Sequence, residues 1–187
     1  PSFFMLEETD MYTAFRKKVI DFRPDVIISS IVEDTYYLWN KFMDQVRDRK
    51  FINVVGGVFV TYYPQAFEGK CDYICRGEGD EAIPELMNLI EEGKDGHHLL
   101  NFHPNPMRPA LNVNTLPSTD HEIFDKRSLY RPFQGKIIKI ATVETQRGCP
   151  FKCKFCNSPS NAGLYKEETD SLFFRKRTVQ HQEEEIK

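Results

Sequence analysis

The sequence predicts an α/β fold in which helices cover a parallel sheet, and two observations support this prediction. First, DVIISSI (25–31) and FINVVGG (51–57) are apolar runs without alternation, which is typical of strands buried on both faces. Second, each run follows a segment with helical periodicity, so helix and strand alternate along the chain. Two strands that bracket a helix form a right-handed crossover unit in a parallel sheet.

The remaining elements of this part follow the same pattern. The first helix is expected over residues 10–22, because apolar residues recur there every three or four positions and Pro24 follows. CDYIC (71–75) predicts a third, short strand, and EAIPELMNLIEEG (81–93) predicts a helix that ends at its glycine. The segment between the second and third strands, VFVTYYPQAFEG (58–69), is expected to be a loop.

A doubly wound domain normally opens with a strand, whereas this chain opens on PSFF and then enters a helix. Residues 1–95 are therefore expected to be an incomplete flavodoxin- or Rossmann-like domain that lacks its first strand. Residues 96–136 have the proline-rich composition of a linker. Its middle, LNVNTLPSTDHEIFD (111–125), is apolar enough that we expect it to lie across a domain surface. Residues 137–187 begin with a strand pattern, continue into a cysteine-rich loop and end in TVQHQEEEIK, the start of a helix.

Composition limits the classes of function. The 187 residues carry a formal net charge of −3, without the basic stripe that nucleic-acid binding requires. No apolar run reaches the roughly 20 residues of a membrane span, and the first residues do not resemble a signal peptide. We therefore expect a cytoplasmic protein, with neither a nucleic-acid partner nor a membrane span.

Three of the five cysteines lie in RGCPFKCKFC (147–156), with three and then two residues between them. Close-spaced thiols in a reducing compartment usually bind metal or perform redox chemistry. Cys71 and Cys75 are expected instead to be buried structural residues on one face of a strand.

Several kinds of centre compete for the loop cysteines. Structural zinc needs four ligands, of which His181 or Cys75 could be the fourth. Bacterial ferredoxins place two residues between each of their first three cysteines, so their spacing differs. Three thiolates around a cubane cluster leave one iron open, and an open position on a metal is typical of catalytic centres.

RGCPFKCKFC resembles the cluster loop of the radical S-adenosylmethionine enzymes. The resemblance implies that Cys149, Cys153 and Cys156 hold a [4Fe-4S] cluster and that Phe155 packs near the adenine of S-adenosylmethionine, although packing within the loop is another use of that ring. It also implies reductive cleavage to a 5′-deoxyadenosyl radical, which abstracts hydrogen from a small-molecule substrate. An external electron donor such as flavodoxin or ferredoxin would reduce the cluster, and residues 137–187 would form the first β/α unit of a TIM-type partial barrel.

Four further stretches resemble the cobalamin-dependent subclass of that family, in which a cobalamin (B12)-binding domain precedes the barrel. They are PDVIISSIVEDT, VVGGVFVTYYPQ, CDYICRGEGDEAIPEL and NTLPSTDHEIFD. The resemblance implies cobalamin at the carboxyl edge of the sheet, near Ser29, Ser30, Gly56 and Gly57. Glycines there permit close backbone approach, but they also suit an ordinary tight turn, and serine hydroxyls near strand ends often bond their own backbone. The Asp-x-His-x-x-Gly loop of His-ligating cobalamin domains does not occur in the chain.

The sequence thus predicts a fragment of a cobalamin-dependent radical S-adenosylmethionine enzyme, in full a methyltransferase or a related radical catalyst, with an exposed cluster loop and no activity of its own. In RGEGD (76–80), Asp80 should favour the helix N-terminus and Glu78 should orient neighbouring loops. Two other hypotheses remain: a zinc-stabilised binding module, and a non-catalytic α/β domain that senses cobalamin or redox state.

Overall fold

A computed structural model describes residues 10–140 and 142–186. The prediction that a first strand is missing depends on the opening residues, and residues 1–9 lie outside the described part of the chain.

The predicted parallel sheet is confirmed. Its strands lie in the order β1 (Val26–Ser30), β2 (Ile52–Gly56) and β3 (Tyr73–Ile74), and neighbouring strands pair in parallel. The register places Ser30 opposite Gly56, so the predicted serines and glycines reach the carboxyl edge at the same level.

The three predicted helices are confirmed. The first two are α1 (Met11–Phe22) and α2 (Glu33–Asp44), and the third, expected over residues 81–93, extends over Gly79–Glu91. The expected loop 58–69 is a correction, because it contains helix α3 (Val58–Tyr62) and then a 3-10 turn, Pro64–Phe67. Val60 and Phe67 are fully buried there. Burial of these residues therefore sets the conformation of a segment whose local pattern does not predict a helix. The third predicted helix, Gly79–Glu91, follows this segment and is numbered α4.

The core lies on both faces of the sheet, because successive residues of β2 point in opposite directions. Val54 packs in a cluster with Leu86 of α4, whereas Val55 packs in a second cluster with Trp39 of α2. Cys75 belongs to the first cluster, but Cys71 packs against the second.

The prediction that the two cysteines share a face is therefore wrong, because Cys71 precedes β3 and does not continue its extended backbone. The expected burial is confirmed for Cys75, while Cys71 is half-buried. Burial raises the pKa of each thiol to about 12.

The first part of the segment after α4 packs against the α/β domain, whereas of the stretch 111–125 only Leu111 and Val113 are buried, so the expectation for that stretch holds only at its start. Phe102 forms an isolated bridge with Cys75, and Leu99, Met107 and Val113 are buried. The chain then forms an exposed antiparallel hairpin of β4 (Tyr130–Phe133) and β5 (Lys136–Lys139).

Four short elements complete the chain: β6 (Gln146–Arg147), α5 (Ser158–Thr169), β7 (Arg175–Lys176) and α6 (Val179–Ile186). The terminal helix was predicted, and α5 was not. Because β6 pairs antiparallel with β7, the described residues contain no parallel pairing beyond β3. The first β/α unit of a barrel therefore stays a prediction. No helix in the described ranges is both long and apolar enough to cross a membrane.

Candidate functional site

Close contact between two loops shapes the carboxyl edge of the sheet. Gly57 has φ +102°, and a Cβ at this position would lie 2.6 Å from Ile31 N and 2.9 Å from Ser30 Oγ. Ile31 N also donates to Gly56 O at 2.8 Å. The tight approach of the two loops therefore explains the glycine at position 57. Contacts of Ser29, Ser30, Gly56 and Gly57 with cobalamin stay predictions.

Thr61 of α3 links the ends of β2 and β3, a role that the sequence reasoning missed. Its Oγ1 donates to Gly57 O at 2.9 Å and accepts from Gly77 N at 3.0 Å. Its carbonyl accepts from Arg76 Nε at 3.2 Å. A threonine four residues after Gly57, the glycine that follows β2, was the available signal, because its hydroxyl can reach the carbonyl one helical turn back.

The segment that follows the cysteine loop lies on this same edge. Asn157, directly after Cys156, donates to Glu33 Oε1 at 3.2 Å, and Glu33 opens the helix that follows β1. Arg76, just beyond β3, forms a two-bond ion pair with Glu168 of α5, with distances of 2.5 and 3.1 Å. The segment that follows the cysteine loop therefore contacts residues just beyond both outer strands, Glu33 after β1 and Arg76 after β3.

A small residue is also required where α5 meets the end of β3. Gly77 has φ +72°, and a Cβ there would lie 2.8 Å from the hydroxyl oxygen of Tyr165. Tyr165 itself is buried. This close packing holds α5 against the α/β domain.

Glu78 is the centre of an ionic cluster that joins three parts of the chain. It accepts from Arg175 Nη1 and Nη2 at 2.8 and 2.6 Å, from Leu111 N at 2.9 Å and from Arg147 Nη1 at 3.3 Å. Burial alone would raise the pKa of Glu78, but these hydrogen bonds and the two guanidinium charges outweigh it and lower the pKa. The expectation that Glu78 orients neighbouring loops is confirmed.

Arg147 carries this cluster to the entrance of the cysteine loop. It donates to Asp80 Oδ2 at 2.8 Å and to Glu144 Oε1 at 3.1 Å. Asp80 lies in the first turn of α4, as predicted. Gly148 follows with φ +81°, where a Cβ would collide with the carbonyl oxygen of Phe173. The backbone that enters the loop at Cys149 is therefore closely constrained.

The cysteine loop itself is exposed, which confirms the expectation. Cys153 and Cys156 are exposed and Cys149 is half-buried, while the ring of Phe155 is 94% exposed. A hydrogen bond from Ser158 N lowers the pKa of the Cys156 thiol. Among the described residues, no three His, Cys, Asp or Glu side chains are arranged to hold a metal ion.

The chemistry of the donors nevertheless fits an iron–sulfur cluster, because the loop carries three free thiols that solvent reaches. The two candidate fourth ligands for zinc have other surroundings. Cys75 is buried in the core beside β3, and His181 Nε2 contacts the guanidinium of Arg177.

Residues 6–87 match the family model described as B12 binding domain. The matched segment covers the strands of the parallel sheet, so the similarity concerns the α/β part of the chain.

Curated relatives match a larger share of the chain than this family model does. The chain is 27% identical over 174 residues to an uncharacterized methyltransferase of Pyrococcus horikoshii, covering 84% of this chain and 37% of the relative. It is 26% identical to the bacteriochlorophyllide d C-8(2)-methyltransferase of Chlorobaculum tepidum, over 77% of this chain and 29% of the relative.

A third relative is the anaerobic magnesium-protoporphyrin IX monomethyl ester cyclase of Rubrivivax gelatinosus, at 23% identity over 76% of this chain and 28% of the relative. The chain therefore spans between 28% and 37% of the length of these three relatives. No solved structure matches the chain significantly.

Proposed function

We propose that this chain is part of a cobalamin-dependent radical S-adenosylmethionine enzyme that transfers a methyl group or performs related radical chemistry. One observation carries the proposal: the segment directly after the three-cysteine loop contacts the carboxyl edge of the parallel sheet, in the part of the chain that matches the B12-binding model. Asn157 contacts Glu33 at one end of this edge, and the ion pair between Arg76 and Glu168 lies at the other. Ligands of open α/β sheets bind at this edge, so the two cofactors would be neighbours.

Each residue of the loop has a distinct part in the proposal. Cys149, Cys153 and Cys156 would hold the [4Fe-4S] cluster, which when bound supplies the electron that cleaves S-adenosylmethionine to a 5′-deoxyadenosyl radical. The exposed ring of Phe155 offers a flat apolar face to the adenine. The contacts of Arg147 with Glu78 and Asp80 hold the chain where it enters the loop.

Residues of the sheet edge would bind cobalamin, which when bound supplies the methyl group. The backbone of Gly56 and Gly57 would lie close to the ligand, and the hydroxyls of Ser29 and Ser30 would donate hydrogen bonds to its polar groups. Thr61 would act indirectly, because it holds the ends of β2 and β3 in place.

Anaerobic reconstitution with iron and sulfide tests the cluster. We expect a brown protein with broad visible absorbance, whose reduced form has an electron paramagnetic resonance spectrum that S-adenosylmethionine changes. Replacing any loop cysteine by serine should abolish this species, whereas Cys71→Ser is the matched control and should retain it. A colourless protein that holds zinc tightly would support the binding-module hypothesis instead, and equal cluster yield in all variants would reject the ligand assignment.

Cobalamin binding is tested separately, by equilibrium titration of the same chain with methylcobalamin. We expect saturable binding that Ser30→Val weakens, because the branched side chain lies at the proposed contact, while Ser128→Val on an exposed turn leaves it unchanged. Cobalamin binding without any cluster would favour the cobalamin-sensing alternative. A protein that binds the cluster but not cobalamin would contradict the cobalamin-dependent part of the proposal.

A further inference from the structure

The hairpin of β4 and β5, with the turn before it, carries charge of one sign. Residues 126–143 contain five cations and no carboxylate, whereas the whole chain has a net charge of −3. All five cations are exposed: Lys126, Arg127, Arg131, Lys136 and Lys139. Apolar residues separate most of them, as in LYRPFQGKIIK. This part of the chain is therefore a basic and apolar surface on an acidic protein.

Three of these cations are available to an outside group. Lys126 and Arg127 pair with carboxylates that precede them in the chain, at 3.8 and 2.5 Å. The other three, Arg131, Lys136 and Lys139, form no ion pair with any residue that the structure describes, and we call them the hairpin cations. The strands thus present three positive charges to solvent.

Apolar side chains are exposed on both faces of the hairpin. Opposed residues of an antiparallel pair share a face and successive residues alternate between faces. The register therefore places Tyr130 and Ile137 on one face and Phe133 and Ile138 on the other. Their exposed fractions are 56% and 75% on the first face and 54% and 37% on the second. A two-stranded hairpin with both faces in water is marginally stable, so an environment that covers both faces stabilises it.

Exposure on two sides limits the kind of partner. A folded protein that docks on the hairpin covers one face and leaves the other in water. A nucleic acid pairs with cations and stacks on aromatic rings, but it offers no apolar contact to Ile137 and Ile138. The interfacial region of a lipid bilayer surrounds both faces and accepts apolar and aromatic side chains, and anionic lipids attract Lys and Arg.

We propose that the hairpin is an interfacial anchor that inserts into the headgroup region of an anionic lipid bilayer. Gln134 and Gly135 have positive φ of 49° and 74° and form the two-residue turn at its tip. Phe133 and Ile137 reach the apolar boundary from opposite faces, while the hairpin cations contact lipid phosphates. Such an anchor lies on the membrane and needs no membrane-spanning helix. It does not depend on either proposed cofactor.

Sedimentation with lipid vesicles tests the anchor. The 187-residue chain is mixed with vesicles of phosphatidylcholine alone, or of equal parts phosphatidylcholine and phosphatidylglycerol. We expect saturable binding to the mixed vesicles, at least about tenfold tighter than to phosphatidylcholine. Added salt should weaken the binding, because it screens exposed charges.

Single substitutions assign the binding to the hairpin. Lys136→Gln should weaken it about fivefold, which is the contribution of one cation near an anionic surface. Lys17→Gln makes the same change on an exposed position of α1 and should change the affinity less than about twofold. Ile137→Ser removes apolar surface and should weaken binding about threefold or more. Both hairpin positions are exposed, so the fold is retained, and circular dichroism checks this.

Phe133→Trp reports insertion directly. Trp39 is the only tryptophan of the chain and is buried, so its emission is a constant background. The introduced tryptophan should shift its emission to shorter wavelength with the mixed vesicles, because its ring leaves water. Single-stranded RNA is the parallel probe and should produce no such shift.

Four results would overturn the proposal. The first is no saturable binding to the mixed vesicles. The second is equal weakening by Lys136→Gln and Lys17→Gln, which would mean general attraction instead of an anchor. The third is tighter binding to the RNA than to the vesicles, which would assign the hairpin to nucleic acid. The fourth is a dimer in sedimentation velocity that Ile137→Ser dissociates, which would assign it to a second copy of the chain.

Discussion

Replacing Glu78 by glutamine removes one negative charge from the ionic cluster while keeping the size of the side chain. The Glu78 side chain is 12% exposed and that of Arg175 is 14% exposed, so water screens the pair little. Removing one partner of a buried ion pair costs about 3–5 kcal/mol, because the other charge is left uncompensated. The amide oxygen of glutamine can still accept one hydrogen bond from Arg175, so we expect the lower limit, about 3 kcal/mol.

Urea unfolding at pH 7 measures the free energy of unfolding, and thermal unfolding at the same pH measures the midpoint temperature. Far-ultraviolet circular dichroism follows both transitions. For a chain of this length, about 3 kcal/mol corresponds to a decrease of roughly 6–12 °C in the midpoint of thermal unfolding. Glu92→Gln at the end of α4 is the matched control, because Glu92 pairs with Lys94 at 2.6 Å but its side chain is 55% exposed. The control should cost at most about 1 kcal/mol. Equal losses in the two variants would refute the reasoning that burial makes the Glu78 cluster strong.

The same carboxylate gives a dependence on pH whose sign follows from its lowered pKa. Unfolded Glu78 has its ordinary pKa of 4.5, and the folded pKa is lower. Between the two values the unfolded state binds more protons, so acid favours unfolding. The stability difference between the native chain and Glu78→Gln should be constant above about pH 5.5 and should decrease as pH falls through the folded pKa. A difference that is independent of pH from 7 to 3 would contradict the assigned contacts.

Two further predictions concern the backbone and the thiols. Gly57→Ala should cost about 1–3 kcal/mol more than Gly69→Ala in urea unfolding, because both positions have positive φ but only at Gly57 would a Cβ meet backbone atoms. Equal costs in the two variants would show that the positive φ alone, and not contact with backbone atoms, determines the loss of stability. In the folded chain at pH 8, iodoacetamide should label Cys153 rapidly and Cys75 slowly, because Cys153 is exposed while Cys75 is buried with a pKa near 12. Peptide mass spectrometry measures both rates, and labelling of both at the same rate would contradict the described burial.

The sequence predicted the parts of the fold that local patterns determine. Apolar runs without alternation identified β1 and β2, because strands between two covering layers carry that pattern. The expected burial on both faces is confirmed for β2 but is wrong for β1, where Ile28 is 51% exposed. Helical periodicity identified α1, α2 and α4, because a helix with one face toward a core carries apolar residues every three or four positions. Helix α3 was missed because Val60 and Phe67 are buried by distant parts of the chain, which a local pattern does not record.

The candidate site was predicted in its components but not in its assembly. The spacing of the loop cysteines and the glycines at the end of β2 were visible in the sequence. The arginine that pairs with Glu78 lies 97 residues further along the chain, and no local signal connects the two. The same holds for Arg76 and Glu168, which are 92 residues apart. Long-range ion pairs depend on the folded topology, so the contacts between the sheet edge and the segment after the cysteine loop required the structure.

The separation between Glu78 and Arg175 also has a consequence for biosynthesis. On the ribosome, the sheet and its core, which extends to Phe102, are made before Arg175, and domains generally fold as units from the N-terminal end. During that interval the carboxylates of Glu78 and Asp80 remain hydrated, and the edge of the sheet stays open. The guanidinium groups of Arg147 and Arg175 therefore reach these carboxylates only after the sheet has formed.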